Sequence, residues 1–291
     1  MKYRPSPPLR LIRRIIRTVD YNGARGAVSI AFKRVIRSLY KYGLSGTFDR
    51  ASSYVMPQAP PPELIGDQQH PFDKEHGTDT GGKISSGEMT AVSLSALHAS
   101  GYAGIPPSTL RPALAALPFK SEEFTFIDIG CGKGRALLIA SEFPFRHVIG
   151  VELAIDMAQV ARANVALKPA WKERISVANE DALTFELPNG PVVFFLYNPF
   201  TTMLLRRFLA RIHRQLCCSP RPAFVIDADS YLANAEKVFR GTPRCRAVMA
   251  SFPFLREVSD LAFPISGEEA VVEPTGGTMT RYTVFSVDVT S

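Results

Sequence analysis

Apolar positions along the chain change their period in a regular order from residue 124 onward. Short continuous apolar runs indicate strands that are buried on both faces, and apolar residues at i, i+3, i+4 and i+7 indicate helices. The runs predict strands at 124–129, 147–151, 174–178, 191–197 and 222–227. The helical spacing predicts helices at 134–142, 155–166, 201–216 and 230–240. Because strands and helices alternate, we expect an α/β fold with a doubly wound, mostly parallel sheet.

Further helices are predicted before residue 124, and further strands after residue 240. Short helices are predicted at 87–99 and 107–117, and two strands at 244–253 and 281–289 are predicted to close the sheet. We therefore assign residues 85–291 to one domain that carries the chemistry.

Residues 1–50 form a basic arm. They contain twelve Lys or Arg and two acids, so the arm carries a net charge of +10 and the remaining 241 residues carry −3. Apolar residues at helical spacing, with basic residues between them, predict two amphipathic helices, which suit nucleic acid, an acidic protein or an anionic membrane surface. Packing on the parent domain with the Arg face in solvent, or an organelle transit peptide, remain alternatives. The apolar residues of the first helix are Ile12, Ile15, Ile16 and Val19.

Residues 51–84 form a connector. Pro57 and the run Pro60 to Pro62 favour extended chain, and turn residues follow in the stretch 72–82. This stretch is either a lid beside a ligand site or an ordinary loop.

Composition narrows the class of protein. The 291 residues are 46% hydrophobic and 21% charged, as in ordinary globular proteins. No apolar run approaches the roughly 20 residues of a membrane-spanning helix, and the N-terminus lacks a secretory signal pattern. The cysteines show no metal-ligand spacing, so we expect reduced thiols, a cytoplasmic protein and no metal site. These are Cys131, Cys217, Cys218 and Cys245.

The first predicted strand leads into a glycine turn. Asp128 stands two residues before the first of three alternating glycines, and a helix follows at once. A strand, a glycine turn and a helix bring backbone close to a nucleotide-like ligand. Asp128 would repel the pyrophosphate of a dinucleotide, but it suits an ammonium or sulfonium group such as those of S-adenosylmethionine (SAM). The glycines are Gly130, Gly132 and Gly134.

The stretch from Phe126 to Leu153 resembles the class I SAM-dependent methyltransferases. It is especially similar to uncharacterised bacterial members with the wording DIGCGKGR and GVEL, and a YNPF run follows at 197–200. The resemblance implies a Rossmann-like, seven-stranded sheet whose last strand is antiparallel, and SAM as cofactor. It also implies that Asp128 holds the methionine ammonium, directly or through water.

Later strand ends supply further candidates. Glu152 ends the second strand, where a carboxylate can accept hydrogen bonds from both ribose hydroxyls. After the third strand, the resemblance implies that Asp181 takes the adenine amino group and the next backbone N–H, that of Ala182, meets a ring nitrogen. Glu180 remains a competitor of Asp181. Asp227, at the end of the fifth strand, is a candidate to face the substrate.

The fourth strand runs into Asn198, Pro199 and Phe200. This turn resembles the Asn/Asp-Pro-Pro-Tyr/Phe motif of enzymes that methylate planar amino groups. That resemblance implies that the Asn side chain and the Pro carbonyl accept hydrogen bonds from the amine, while the aromatic ring stacks on it. The second Pro is missing here, and Asn-Pro is also an ordinary way to end a strand.

The sequence therefore predicts a SAM-dependent methyltransferase that acts on an unidentified acceptor, such as an amino group of a protein or nucleic acid. One alternative is a non-catalytic SAM-binding adaptor that works through its basic arm. A nicotinamide-dependent oxidoreductase is disfavoured by Asp128 and by the glycine spacing.

Overall fold

A computed structural model describes most of the chain after residue 69. The described residues are 70–84, 88–90, 93–231, 244–272 and 278–289, together with Ile12, Ile15, Ile16 and Val19. These four arm residues are helical, and Ile12, Ile15 and Val19 are exposed. The second predicted arm helix and the Pro-rich part of the connector lie outside the described residues.

Seven strands form the main sheet, in the order β5-β4-β3-β6-β7-β9-β8. Strands β3 to β7 are parallel, and β9 runs antiparallel to both of its neighbours, as the fold prediction requires. A small antiparallel sheet of β1 (Lys83–Ile84) and β2 (Tyr102–Ala103) lies apart from it. The main strands are β3 (Thr125–Ile129), β4 (His147–Val151), β5 (Ile175–Ala178), β6 (Val192–Leu196), β7 (Ala223–Tyr231), β8 (Leu255–Pro264) and β9 (Met279–Val287).

Helices cover both faces of the sheet, because β3 and β6 are buried at every position and must be shielded on each side. One apolar cluster contains Phe126 and Phe195, and the other contains Ile127 and Phe194. No helix among the described residues has the length and apolar character to cross a bilayer. The helices are α1 (Pro71–His76), α2 (Pro107–Ala115), α3 (Arg135–Ala140), α4 (Ile155–Ala166), α5 (Pro169–Arg174), α6 (Thr202–Cys218), α7 (Arg244–Met249) and α8 (Glu269–Val272).

Three predicted elements differ from the described part of the structure. The strand expected at 244–253 is helix α7, and the missing strand is β8, whose residues are mostly exposed and so lack an alternating apolar pattern. The helix expected to begin at residue 230 is preceded by β7 up to Tyr231, and its remainder lies outside the described residues. Within 87–99 the described residues form only one 3-10 turn, Ser95–His98.

A buried arginine fastens the residues before the domain to the glycine turn. Arg135, the first residue of α3, is only 2% exposed. Its guanidinium donates to the carbonyl oxygen and the hydroxyl oxygen of Thr80, both at 2.8 Å, and lies 4.0 Å from the Asp73 carboxylate. Asp73 in turn accepts from the Thr80 backbone N–H at 2.8 Å. The end of the predicted connector is thus packed on the domain.

Loss of this arginine should destabilise the fold far more than loss of an exposed one. Arg135→Met would leave Asp73 as a buried charge without its cation, which typically costs about 3–5 kcal/mol. The control Arg111→Met removes the exposed pair with Glu142 and should cost less than about 1 kcal/mol. Urea unfolding of both variants measures the difference, and equal losses would contradict a structural role for Arg135.

Candidate active site

The carboxyl ends of β3, β4, β5 and β6 meet at one edge of the sheet and line a narrow cavity of about 90 Å³. Nine of the ten residues predicted for the site line it. They are Asp128, Gly130, Gly132, Glu152, Asp181, Ala182, Asn198, Pro199 and Phe200. The tenth, Gly134, precedes α3, and a Cβ added there would meet the Cβ of Ala161 at 3.3 Å. Gly134 therefore allows α3 and α4 to pack closely.

Two positions of the glycine turn require glycine for reasons of space and of backbone conformation. Gly130 and Gly132 have φ values of 77° and 54°, in the left-handed region. A Cβ at Gly130 would lie 2.8 Å from the Cβ of Pro199, and one at Gly132 would overlap the Tyr102 ring. The bare backbone of the turn is therefore what faces the cavity.

Asp128 is a buried carboxyl group at the floor of the cavity. It is 4% exposed, and no hydrogen-bond donor within the described part of the chain reaches its side chain. Burial first, and the nearby charge of Glu152 second, raise the pKa of Asp128 well above its usual value. A cationic or hydrogen-bond-donating ligand would stabilise the ionised form here.

Glu152 lies beside it but has protein partners. Its two oxygens accept from the backbone N–H groups of Gly132 at 2.8 Å and Ala154 at 2.7 Å. Burial raises the pKa of Glu152, and these two hydrogen bonds act against that rise. Because each carboxylate oxygen has two lone pairs, Glu152 can position the glycine turn and still accept from a ligand.

The acidic turn after β5 contributes two neighbouring carboxylates to the cavity lining, so the choice between Glu180 and Asp181 stays open. The Asp181 side chain accepts from the backbone N–H of Leu183 at 2.9 Å. Asp181 is half-buried and Glu180 is exposed. Asp181 is therefore the better oriented of the two, because its hydrogen bond holds the side chain within the turn.

The turn after β6 is unusual in its backbone. Asn198 has a φ of 46° and is the one non-glycine residue with positive φ in the described ranges. Phe200 is buried and packs on Phe208 with ring centroids 5.8 Å apart, so its ring belongs largely to the core. Tyr197 is half-buried at the cavity, and its hydroxyl lies 2.8 Å from that of Ser230. Tyr197 is therefore the more accessible aromatic ring.

A segment that the sequence did not assign to the site closes its mouth. We call residues 95–105 the mouth segment; it includes the 3-10 turn and β2. The Ser100 backbone N–H donates to the Pro199 carbonyl at 2.8 Å, and the Thr201 N–H donates to the His98 carbonyl at 2.9 Å. No local sequence pattern indicates this contact, because it joins residues about a hundred positions apart through backbone atoms.

The mouth segment also connects to the end of the connector. The Tyr102 ring covers Gly132, and its hydroxyl donates to the Thr80 carbonyl at 2.6 Å. Burial raises the pKa of Tyr102, so this hydroxyl stays protonated. On the other side of the turn, Lys133 pairs with Asp79 at 2.6 Å. Residues 79–80 therefore lie against the glycine turn.

Two other candidates are poorly placed for chemistry. Cys131 is buried within the turn, and burial raises the pKa of its thiol, which makes it a poor nucleophile. Asp227 is buried outside the cavity lining, and burial followed by Asp229 raises its pKa to about 8. All four cysteines are free thiols.

The strand order and the cavity at the carboxyl edge define an open α/β fold, a class of protein in which ligands bind at this edge. Residues 126–217 match the family model described as a methyltransferase domain. Over this segment the chain is similar to the class I SAM-dependent methyltransferases, whose members use SAM as methyl donor. The match favours a methyltransferase over a nicotinamide-dependent oxidoreductase.

Two curated proteins are similar in sequence over part of the chain. The tRNA1(Val) (adenine(37)-N6)-methyltransferase of Vibrio cholerae serotype O1 is 31% identical over 100 residues, which are 34% of this chain and 41% of that protein. The enzyme of the same name from Aliivibrio fischeri is 34% identical over 90 residues, or 31% of this chain and 38% of that protein. The chain thus spans about two fifths of the length of these relatives.

Solved structures resemble the chain more distantly. The pyocyanin biosynthetic protein PhzM has a TM-score of 0.45 at 16% identity, over 62% of this chain and 54% of that one. The 23S rRNA methyltransferase ErmE has a TM-score of 0.40 at 14% identity, over 62% and 69% of the two chains. Since both TM-scores lie under 0.5, the similarity to methyltransferases rests on the matched segment 126–217.

The close contact at Gly132 leads to a matched pair of variants. Gly132→Ala should lower the melting temperature because its Cβ overlaps Tyr102 at a positive φ. Gly77→Ala has a similar φ of 72° with no neighbour within 4 Å, so it should show only the backbone strain of about 1 kcal/mol. Thermal unfolding compares them, and an equal loss would show that Tyr102 does not press on the turn.

Proposed function

We propose that this chain transfers the methyl group of SAM to an exocyclic amino group of an RNA base. The observation that carries the proposal is one cavity that holds both the buried carboxylate of Asp128 and the Asn198–Pro199 turn. The first suits the cationic end of the cofactor, and the second offers oxygen acceptors to a planar amine. The similar curated sequences are named as adenine N6-methyltransferases of a tRNA, which supports an amino group on RNA.

The residues that line the cavity fit SAM as a ligand. Asp128 has no donor of its own in the described structure, and the ammonium of the methionine part supplies one. Glu152 has lone pairs left for the two ribose hydroxyls. Asp181 and the Ala182 backbone N–H would take the edge of the adenine. The bare backbone at Gly130 and Gly132 lets the cofactor lie close to the turn.

The cofactor supplies an activated methyl group, so the protein mainly orients the two reactants and excludes water. The Asn198 side-chain oxygen and the Pro199 carbonyl would accept the hydrogens of the target amine and aim its lone pair at the methyl group. Tyr197 offers the accessible ring for stacking on the base, since Phe200 is mostly buried. The amine then loses its proton to water.

The closed mouth has to open for this reaction. The cavity of about 90 Å³ is smaller than the roughly 300–1,000 Å³ of typical ligand pockets. One lone pair of the Pro199 carbonyl already accepts the Ser100 N–H. We infer that the mouth segment moves away when cofactor and acceptor bind, while residues 79–80 stay fixed on the glycine turn through Arg135 and Lys133.

The basic arm fits an RNA acceptor. Its net charge of +10 would attract the phosphate backbone and speed association. Contacts with an acidic protein or an anionic membrane surface are the competing uses of the arm. The alternative of a non-catalytic adaptor has no support in the comparisons, where the similar curated proteins are named as methyltransferases.

Cofactor binding should depend on the charge of Asp128. Asp128→Asn keeps the shape but removes the negative charge opposite the ammonium, so the Kd for SAM should rise about 10- to 100-fold. The variant should be at least as stable as the original, because a buried carboxyl group is replaced by a neutral amide. Calorimetric titration with SAM and S-adenosylhomocysteine measures the change. An unchanged Kd would refute the assigned role of Asp128.

Methyl transfer should depend on the acceptor oxygen of Asn198. Asn198→Gly tolerates the positive φ and lacks the side chain, so kcat should fall about 100-fold with the Kd for SAM unchanged. Asn198→Asp keeps an acceptor oxygen and should lose less. The assay follows labelled methyl from SAM into unmodified, transcribed tRNA and 23S rRNA.

Three outcomes separate the parts of this proposal. Equal losses of kcat in the two Asn198 variants would show that Asn198 only shapes the turn and does not bind the amine. SAM binding without any transfer to either RNA would exclude RNA as the acceptor. Transfer to RNA at an oxygen or carbon atom would contradict the amino-group assignment.

A further inference from the structure

A second pocket lies at the opposite edge of the sheet from the cofactor cavity. It is formed by the residues just before β6 and by the last turns of α6 with the loop that follows, and its volume is about 450 Å³. Since β6 and β7 begin at this edge and end at the other, the two pockets are separated by the length of a strand, roughly 13 Å. Its lining includes Glu186, Arg211, Arg214, Gln215 and Arg221.

Arginine dominates this pocket. Arg211 and Arg214 are three residues apart on α6 and therefore share one face of the helix, and Arg221 follows the helix end. Residues 202–222 contain five arginines and no acid. Glu186 is the acidic residue of the lining, and it forms no ion pair within 4.0 Å in the described part of the chain.

The pocket also gathers buried polar atoms that have no partner. Four such side-chain atoms occur among the described residues, and three of them belong to this lining. They are Nη1 of Arg211, Oε1 of Gln215 and Nε of Arg221. Buried polar groups in folded proteins are nearly always hydrogen-bonded, so these three atoms offer hydrogen-bonding capacity that a ligand in the pocket can use.

The remaining contacts orient the guanidinium groups. Arg211 donates through Nη2 to the Phe185 carbonyl, and Arg221 donates through Nη1 to the Ser219 carbonyl at 2.7 Å. Each guanidinium is thus held by one hydrogen bond to a backbone carbonyl. A second N–H, on Nη1 of Arg211 and on Nε of Arg221, has no protein acceptor in the described part of the chain. Burial first, and Arg214 second, lower the pKa of Arg211, with Asp181 and Glu186 acting against this. An anion between the arginines would relieve that repulsion.

We propose that this pocket binds a phosphate group. Phosphate oxygens accept from the unpaired N–H groups of Arg211 and Arg221, and the free-standing guanidinium of Arg214 completes a three-sided cationic site. The Gln215 amide can turn to donate through its NH₂ or can accept from a neighbouring hydroxyl. A phosphate presents more acceptor oxygens than a carboxylate and carries more charge, so it matches three arginines better. The group belongs either to a small phosphorylated molecule or to an RNA backbone.

This proposal does not rest on the proposed methyl transfer, because the pocket shares no lining residue with the cofactor cavity. Its test is a binding measurement on the full chain at fixed ionic strength. Inorganic phosphate and a twelve-nucleotide single-stranded RNA are titrated separately, with chloride as the reference anion. The variants are Arg214→Gln, which removes an exposed side chain, and Arg221→Gln. The control is Arg207→Gln, which removes the same charge from the same helix at an exposed position outside the pocket.

We expect the Kd for the ligand that binds to rise at least tenfold in both pocket variants and less than twofold in the control. The far-UV circular dichroism spectrum should be unchanged in all three variants, which shows that they are folded. Binding of inorganic phosphate with this pattern identifies a small phosphorylated ligand, whereas binding of the RNA alone with this pattern identifies the backbone. Absence of binding by both probes would overturn the proposal. An equal rise of the Kd in Arg207→Gln would also overturn it, because the effect would then follow from the net charge of the protein and not from the pocket.

Discussion

The hydrogen bonds of the Arg135 guanidinium are the interaction on which the site depends. A fully buried arginine is expensive to desolvate, and this one is stabilised by two contacts with Thr80 and by the nearby Asp73 carboxylate. Because Arg135 is the first residue of α3, those contacts place residues 79–80 directly against the glycine turn. Tyr102 then bonds to Thr80 and covers Gly132. The Arg135 centre thus joins the connector, the mouth segment and the glycine turn that precedes α3.

This arrangement divides the site into a floor of strand ends and a cover formed by the mouth segment. The floor consists of strand ends whose carboxylates are fixed by backbone geometry, as Glu152 is by two N–H groups. The cover is held by backbone hydrogen bonds such as that from Ser100 to Pro199, which water or an amine can replace at little net cost. A reaction that must exclude water gains from a cover that closes over bound reactants.

Local patterns in the sequence were enough for six of the seven main strands and for the residues that line the floor of the cavity. Strand, acid and glycines follow one another within a few residues around Asp128, so topology places them together without further information. The contacts that hold the cover could not be predicted in this way, because they join residues far apart in the sequence. Arg135 and Asp73 are 62 positions apart, and Ser100 meets Pro199 through backbone atoms that any residue possesses. Strand β8 was not predicted, because its residues are mostly exposed and an exposed edge strand has no alternation of apolar and polar residues.

Charge is divided between the two edges of the sheet in a way that follows from the chemistry of each. The carboxyl edge collects Asp128, Glu152, Glu180 and Asp181, which suits a cationic cofactor and would repel phosphate. The amino edge collects arginines instead. A polyanionic acceptor that reaches into the acidic cavity therefore needs cationic contacts elsewhere, because the cavity itself disfavours its backbone. The arm, with its charge of +10, and the pocket at the amino edge are the two places where the chain supplies them. On this reasoning the base and the backbone of an RNA acceptor would be recognised by separate parts of the protein, with the cavity left to select for a neutral, planar amine.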